Sequence, residues 1–169
     1  MKAFVAIDVQ NLWYGAREGF GRNYRVNFRN LQRAIIDILP DGCEVQAIAY
    51  VIESPRHDNS KFIAMLDSLD FETKVSHLCY ESSGNGTAVK SDWDLGIAVD
   101  AMNHAYSGTD IFVLVSGKGD YSYLCKTLKD LGQTRYILTF EHSKSNKLDR
   151  LADTVHLLDK SNVYDTKAD

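Results

Sequence analysis

The sequence predicts an α/β protein, a three-layer α/β/α sandwich around a mostly parallel central sheet. Two observations carry this. Strand-like apolar runs alternate with segments of helical period along nearly the whole chain, the pattern of a parallel sheet with helices on both faces. The clearest strand, "DIFVLVS" (Asp110 to Ser116), is continuously β-branched, aromatic and aliphatic rather than alternating with polar residues, as expected of a strand buried on both sides.

The elements follow in order. "AFVAID" (Ala3 to Asp8) is a strand. No regular element is assigned between Asp8 and Asn27. "NFRNLQRAIIDIL" (Asn27 to Leu39) puts Phe28, Leu31, Ile35, Ile38 and Leu39 on one helical face, with Asn27 as N-cap. "EVQAIAYVI" (Glu44 to Ile52) is the second strand, His57 to Asp70 a helix, and "ETKVSHLCY" (Glu72 to Tyr80) a weaker strand. The stretch from Glu81 to Asp92 is rich in Gly and Ser and reads as a surface loop. "SDWDLGIAVDAMNHAY" (Ser91 to Tyr106) spaces Trp93, Ile97 and Ala101 four apart, as a helix capped near Ser91 does. "YSYLCKTLKDLG" (Tyr121 to Gly132) is a helix stopped by glycine, and "TRYILTF" (Thr134 to Phe140) a strand. A short helix ("SNKLDRLAD") and a short strand ("TVHLLD") finish a single domain over residues 1–160, leaving 161–169 as a tail.

Composition narrows the function. The 169 residues carry a formal net charge of -4, against a protein that coats nucleic acid through a broad basic surface. An enzyme that meets a polyanion through metal ions or a small basic rim stays open. No apolar run approaches the roughly 20 residues of a membrane span. The run before Asp8 is too short for a signal peptide. Cys43, Cys79 and Cys125 are widely spaced and form neither a zinc pattern nor a disulfide framework, so a reducing cytoplasm is expected.

The polar residues of interest lie where the strands end. In a parallel sheet with right-handed crossovers, strand C-termini share one edge, and ligands bind there. The first strand ends in Asp8. The strand from Ile111 ends in Ser116, followed by "GKGD". The helix after Ser91 should begin near the same edge, with Asp92 and Asp94 in its first turn and Asp100 further along. At about 100° per residue, Asp94 and Asp100 lie roughly 120° apart around that helix. Converging carboxylates need protons or cations to neutralise them, and hard oxygen ligands suit Mg2+ or Mn2+. Taken singly, Asp94 also suits a helix dipole and Asp120 a helix cap.

Three blocks at these residues resemble the NYN domains, including the LabA/DUF88 branch, of the PIN-like nuclease superfamily: "FVAIDVQNL", "KSDWDLGIAVDAM" and "VLVSGKGDYSYL". They stand in the family's order. The resemblance implies a PIN-like fold and Mg2+- or Mn2+-dependent hydrolysis of RNA phosphodiesters. It implies Asp8, Asp94 and Asp120 as metal ligands, and Asn11 as the group that orients Asp8 or a water. Asp100 would have a direct or supporting role. Lys90 would face phosphate or pair with the acids, and Ser116 would hydrogen-bond the carboxylates. Lys118 departs from the family, which has an acid there in Ser-Gly-Asp-x-Asp; the change moves local charge by two units. Lys118 could mean a lost ligand, a cation that pairs with Asp8 or Asp94, or a phosphate contact; pointing away, it would leave Asp120 to carry the metal alone. The expected function is therefore a metal-dependent ribonuclease. The alternative is a catalytically weakened RNA-binding or regulatory module.

Other signals are discounted. Val89 before Lys90 breaks a phosphate-loop pattern, and "SGKGDYS" lacks the third glycine of a dinucleotide fingerprint. The sequon at Asn85 reads as a turn, the five histidines have no ligand spacing, and Cys125 reads as core. In "WYGAREGFGRNYR" (Trp13 to Arg25), aromatic and arginine side chains interleave in a way that suits base stacking, loop packing or a dimer surface. An exposed edge strand or this segment offers the contact for a homodimer.

Overall fold

The computed structural model describes residues 1–54, 58–77 and 92–167. Among the described residues, eight strands and six α-helices run in the order β1 (Lys2–Asp8), α1 (Val9–Phe20), β2 (Tyr24–Val26), α2 (Phe28–Ile38), β3 (Glu44–Glu53), α3 (Ser60–Asp67), β4 (Glu72–His77), α4 (Asp94–Tyr106), β5 (Ile111–Val115), α5 (Ser122–Asp130), β6 (Thr134–Phe140), α6 (Asn146–Asp149), β7 (Thr154–Leu158) and β8 (Val163–Asp165). Six strands form one sheet in the order β4-β3-β1-β5-β6-β7. Every pairing in it is parallel. The expected α/β/α sandwich is the fold observed.

That order carries a functional consequence. From β1 the chain builds outward through β3 and β4; from β5 it builds the other way through β6 and β7. The direction reverses between β1 and β5, so the switch point lies where their C-terminal ends stand side by side, Ile7 opposite Val115.

Period-2 alternation along β1 decides which face each residue serves. Ala3, Val5 and Ile7 pack with Leu12, Leu31, Ile35 and Leu66 of α1, α2 and α3. Phe4 and Ala6 pack with Ile97, Ala101, Leu124 and Leu128 of α4 and α5. Each large apolar side chain so buried contributes on the order of 1.5–3 kcal/mol. Asp8 continues the even-numbered series and therefore faces α4, although it is a carboxylate only 8% exposed.

Asp8 is also the N-cap of α1, which fills the gap left between Asp8 and Asn27. Its side chain accepts the Asn11 N–H at 3.0 Å. Asn27 caps α2 as expected, accepting from the Asn30 N–H at 3.1 Å. α5 stops at Gly132, whose φ of +80° is open to glycine and strained for other residues. Within 161–169, β8 pairs antiparallel with β2 and ties the C-terminal residues to the domain. Lys90, the Ser91 cap, Cys79, Asn85, His57 and most of the Gly/Ser-rich stretch lie outside the described residues.

Candidate active site at the sheet switch point

Three elements deliver the site. β1 brings Asp8, the turn after β5 brings Ser116 to Tyr121, and the first turn of α4 brings Asp94. Asp8 is held by three donors. The Asn11 N–H bonds Oδ1; the Ser116 hydroxyl at 3.3 Å and the Tyr121 hydroxyl at 3.2 Å face Oδ2. The Tyr121 hydroxyl also lies 3.1 Å from Asp94 Oδ1, so one buried phenol spans both carboxylates. It carries a single proton and can donate it to only one of them at a time.

The Lys118 ammonium donates to Asp94 Oδ2 and lies 3.7 Å from Asp120 Oδ2. Of the roles open to Lys118 from sequence, pairing with Asp94 is the one this geometry displays. Asp120 is the open end of the group, with a side chain 73% exposed. It does not cap α5, whose N-terminus has no side-chain cap bond. Asp94 takes a backbone hydrogen bond in the other sense, its N–H donating to Asp92 Oδ1 at 3.3 Å.

The turn that presents Lys118 is tightly fixed. Asn11 Oδ1 accepts the Gly117 N–H at 3.0 Å, Ser116 Oγ accepts the Lys118 N–H at 3.2 Å, and Gly117 O accepts the Ser145 N–H at 3.0 Å. A Cβ on Gly117 would stand 2.1 Å from the Ser143 carbonyl oxygen and 2.5 Å from Thr139 Oγ1, so only glycine lets the turn lie against β6.

The electrostatics follow from burial and proximity. Burial pushes the Asp8 carboxyl above its ordinary value. The Asn11 N–H opposes this, the Asp94 charge reinforces it, and Tyr121 and Lys118 oppose it; the net shift is upward. Burial, then the charges of Asp8 and Asp94, push the Tyr121 phenol far up, so it stays protonated and serves as a donor. For Lys118, burial alone pulls the ammonium down, but the hydrogen bond and charge of Asp94, helped by Asp92 and Asp120, outweigh it and the net shift is upward.

Asp100 is not brought into this group. Six residues at about 1.5 Å rise carry it some 9 Å along α4, away from the strand C-termini. There it accepts from the Tyr50 hydroxyl at 2.7 Å and the Lys74 ammonium at 2.8 Å. It borders a cavity of about 450 Å3 at the opposite sheet edge, with Lys2, Gln46 and His104. Lys90 lies outside the described residues. Tyr121, which carries no signal in the sequence, stands between the Asp8 and Asp94 carboxylates.

A second cavity, of about 460 Å3, runs from Asp94, Asp120 and Tyr121 between α4 and α5, lined by Val99, Met102, Tyr123 and Leu124. On the far side of Asp8, α1 turns Leu12 and Ala16 inward and exposes Trp13 and Tyr14. The Arg17 guanidinium lies 4.1 Å from the Trp13 ring centroid.

The donors available for a divalent ion are hard carboxylate oxygens. With Asp8, Asp94 and Asp120 ionised, the one ammonium of Lys118 leaves the group net negative, and nearby Asp92 adds to the excess. In the chemistry of their donor atoms the residues suit Mg2+ or Mn2+. As folded, Lys118 sits on Asp94, and among the described residues no three acids, histidines or cysteines already close on a common point.

Comparison with known proteins agrees with this architecture. No curated protein matches the chain. Among solved structures, a crystal structure of a Vibrio parahaemolyticus protein of unknown function is similar over 96% of each chain, with 27% identity and a TM-score of 0.81. The NYN domain model matches residues 2–159. The chain therefore belongs to the NYN domain family.

Proposed function

We propose that this domain hydrolyses RNA phosphodiester bonds at the β1/β5 switch point with Mg2+ or Mn2+ as cofactor, and that it belongs to the LabA/DUF88 branch. One observation carries the reading. Asp8 and Asp94 share the Tyr121 hydroxyl, and Asp120 stands at the rim beside Lys118, so carboxylates from three elements line one sheet edge with a net negative charge that would repel a phosphodiester until a cation binds.

Asp8, Asp94 and Asp120 would hold the ion. When bound, it would supply Lewis acidity and charge neutralisation toward the phosphodiester. The chain's own residues do the rest. Ser116 and Tyr121 fix Asp8 Oδ2, Asn11 locks the Ser116–Lys118 turn to α1, and Lys118 offers a point charge to phosphate. Asp100 acts as a positioning residue, tying α4 to β3 and β4 through Tyr50 and Lys74. The apolar cavity between α4 and α5 would receive a base. Trp13 and Tyr14 offer further stacking surface.

One observation favours a second reading, a weakened RNA-binding or regulatory module: Lys118 already engages Asp94. Cleavage of labelled single-stranded and hairpin RNA in Mn2+, Mg2+ or EDTA, with wild type beside Asp8→Asn, separates the two. Metal-dependent cleavage that Asp8→Asn loses is the expected result. RNA binding without cleavage in either metal transfers the conclusion to the module.

Among the described residues no helix is long and apolar enough to cross a membrane. A cytoplasmic setting is proposed from the cysteine usage. A homodimer through the sheet edge is proposed as well, and a monomer in light scattering at micromolar concentration would remove it.

A further inference from the structure

We infer that Lys118 is the tethered counter-ion of this centre, and that its ammonium and a divalent cation exclude one another on Asp94. The inference rests on the metal reading above and adds the part this chain's own lysine plays in it.

Position gives the first argument. The ammonium donates to Asp94 and reaches toward Asp120, placing its charge between two of the three acids the ion would use. Its side chain is only 26% exposed, so the pair is shielded more than a surface salt bridge. The second argument is charge. A divalent ion on the same carboxylates would meet a like charge at hydrogen-bond range, and one of the two must leave.

The third argument is mechanical. The Lys118 backbone is pinned: its N–H donates to Ser116 Oγ and its carbonyl accepts the Tyr121 N–H at 3.3 Å. The four-carbon stem is flexible. Loading therefore displaces the ammonium without moving the turn, and leaves it tethered beside the site where a substrate phosphate would lie. The lysine thus offsets part of the acidic charge and sets how tightly the metal binds.

The test is calorimetric titration of Mn2+ into wild type, Lys118→Met and Lys118→Arg, with thermal melts to check folding. Removing the competing charge while keeping the stem should tighten Mn2+ binding in Lys118→Met about tenfold or more, whereas Lys118→Arg, which keeps the charge, should stay within a few-fold of wild type. A second measurement uses the unaltered protein: Mg2+ should shift the Lys118 side-chain NMR resonances as the ammonium leaves Asp94. Equal or weaker Mn2+ binding in Lys118→Met overturns the inference and leaves the metal reading standing. Unshifted Lys118 resonances in Mg2+-saturated protein also overturn the inference alone. Absence of binding in all three proteins overturns both.

Discussion

Replacing Asp8 by Asn should make the protein more stable at neutral pH while removing the RNA cleavage proposed above. The reasoning starts from burial. Asp8 is 8% exposed, and its carboxyl is shifted upward, first by desolvation and then by the Asp94 charge, against the donors Asn11 and Tyr121 and the charge of Lys118. An amide is nearly the same size. Its oxygen keeps the Asn11 N–H. Its NH2 group can donate to the Tyr121 hydroxyl, which has Asp94 as an alternative acceptor. The substitution therefore removes a buried charge and its repulsion by Asp94, at the cost of the carboxylate acceptor of the Ser116 hydroxyl.

Relief of an active-site conflict of this kind contributes about 1 kcal/mol. For a domain of this size, that moves Tm by about 2–4 °C. The sign of the pH dependence is fixed by the upward shift. Between the ordinary value of 3.8 and the higher folded value, Asp8 binds more protons in the native state than in the unfolded chain, so its contribution to wild-type stability falls as pH rises through that window. The advantage of Asp8→Asn should be full above the folded value and fade as pH falls toward 3.8. Thermal melts of both proteins from pH 3.5 to 8 measure it. An Asp8→Asn protein that is less stable at pH 7, or whose difference from wild type is flat across this range, refutes the electrostatic account.

Three further outcomes follow from geometry. Gly117→Ala should lose roughly 3 kcal/mol, the upper end for overpacking, because its Cβ meets a backbone carbonyl that cannot step aside; urea denaturation reads this directly. Arg135→Met should lose about 2–3 kcal/mol, because the 4%-exposed guanidinium bonds the Leu151 and Gln133 carbonyls and Asp153, and the half-exposed Asp153 recovers only part of its solvation; a denaturation midpoint unchanged from wild type would contradict this. In a Cys79→Ser background, a thiol reagent at pH 8 should modify Cys43 promptly and Cys125 only on unfolding, since Cys125 is fully buried and its thiol is pushed up to about 11.

The fold was legible because buried parallel strands advertise themselves: β5 has no polar residue and β1 has none between Lys2 and Asp8. The helix α1 was not legible. Its inward face is made of Leu12, Gly15 and Ala16, too small to give a strong 3.6-residue signal, and glycine inside a helix argues against one. The structure supplies the reason for the glycines. A Cβ on Gly15 would lie 2.9 Å from the Phe140 ring, and one on Gly19 would overlap the His142 ring, so α1 needs both to lie against the end of β6. Within the site, Asp8, Asn11, Ser116, Asp94 and Asp120 share a place because each sits at an element end on the same sheet edge. Tyr121 gave no signal, since a buried aromatic at a helix start reads as core until its hydroxyl is seen between two carboxylates. Asp100 illustrates the converse: angular position on a helix was available from spacing, but its partners Tyr50 and Lys74 come from β3 and β4, distant in sequence.

The arrangement of charge explains how Asp8, Asp94 and Asp120 share one sheet edge in a folded protein. The most buried acid, Asp8, faces three donors. Asp94, at intermediate depth, has the Tyr121 hydroxyl and the ammonium of Lys118. Asp120, the least compensated, is the most exposed, and water screens it. Desolvation and compensation therefore fall together from the sheet outward, so no carboxylate is both deeply buried and unpaired. In the proposed centre the same gradient would bring a cation to the open Asp120 first, and to Asp94 only in place of Lys118. A lysine moved one residue along the turn would not take the same place, because a Cβ added at position 119 would stand 2.6 Å from the Ser145 hydroxyl. The two glycines beside Lys118 thus pack closely, one on Ser143 and the other on Ser145, with the lysine between them.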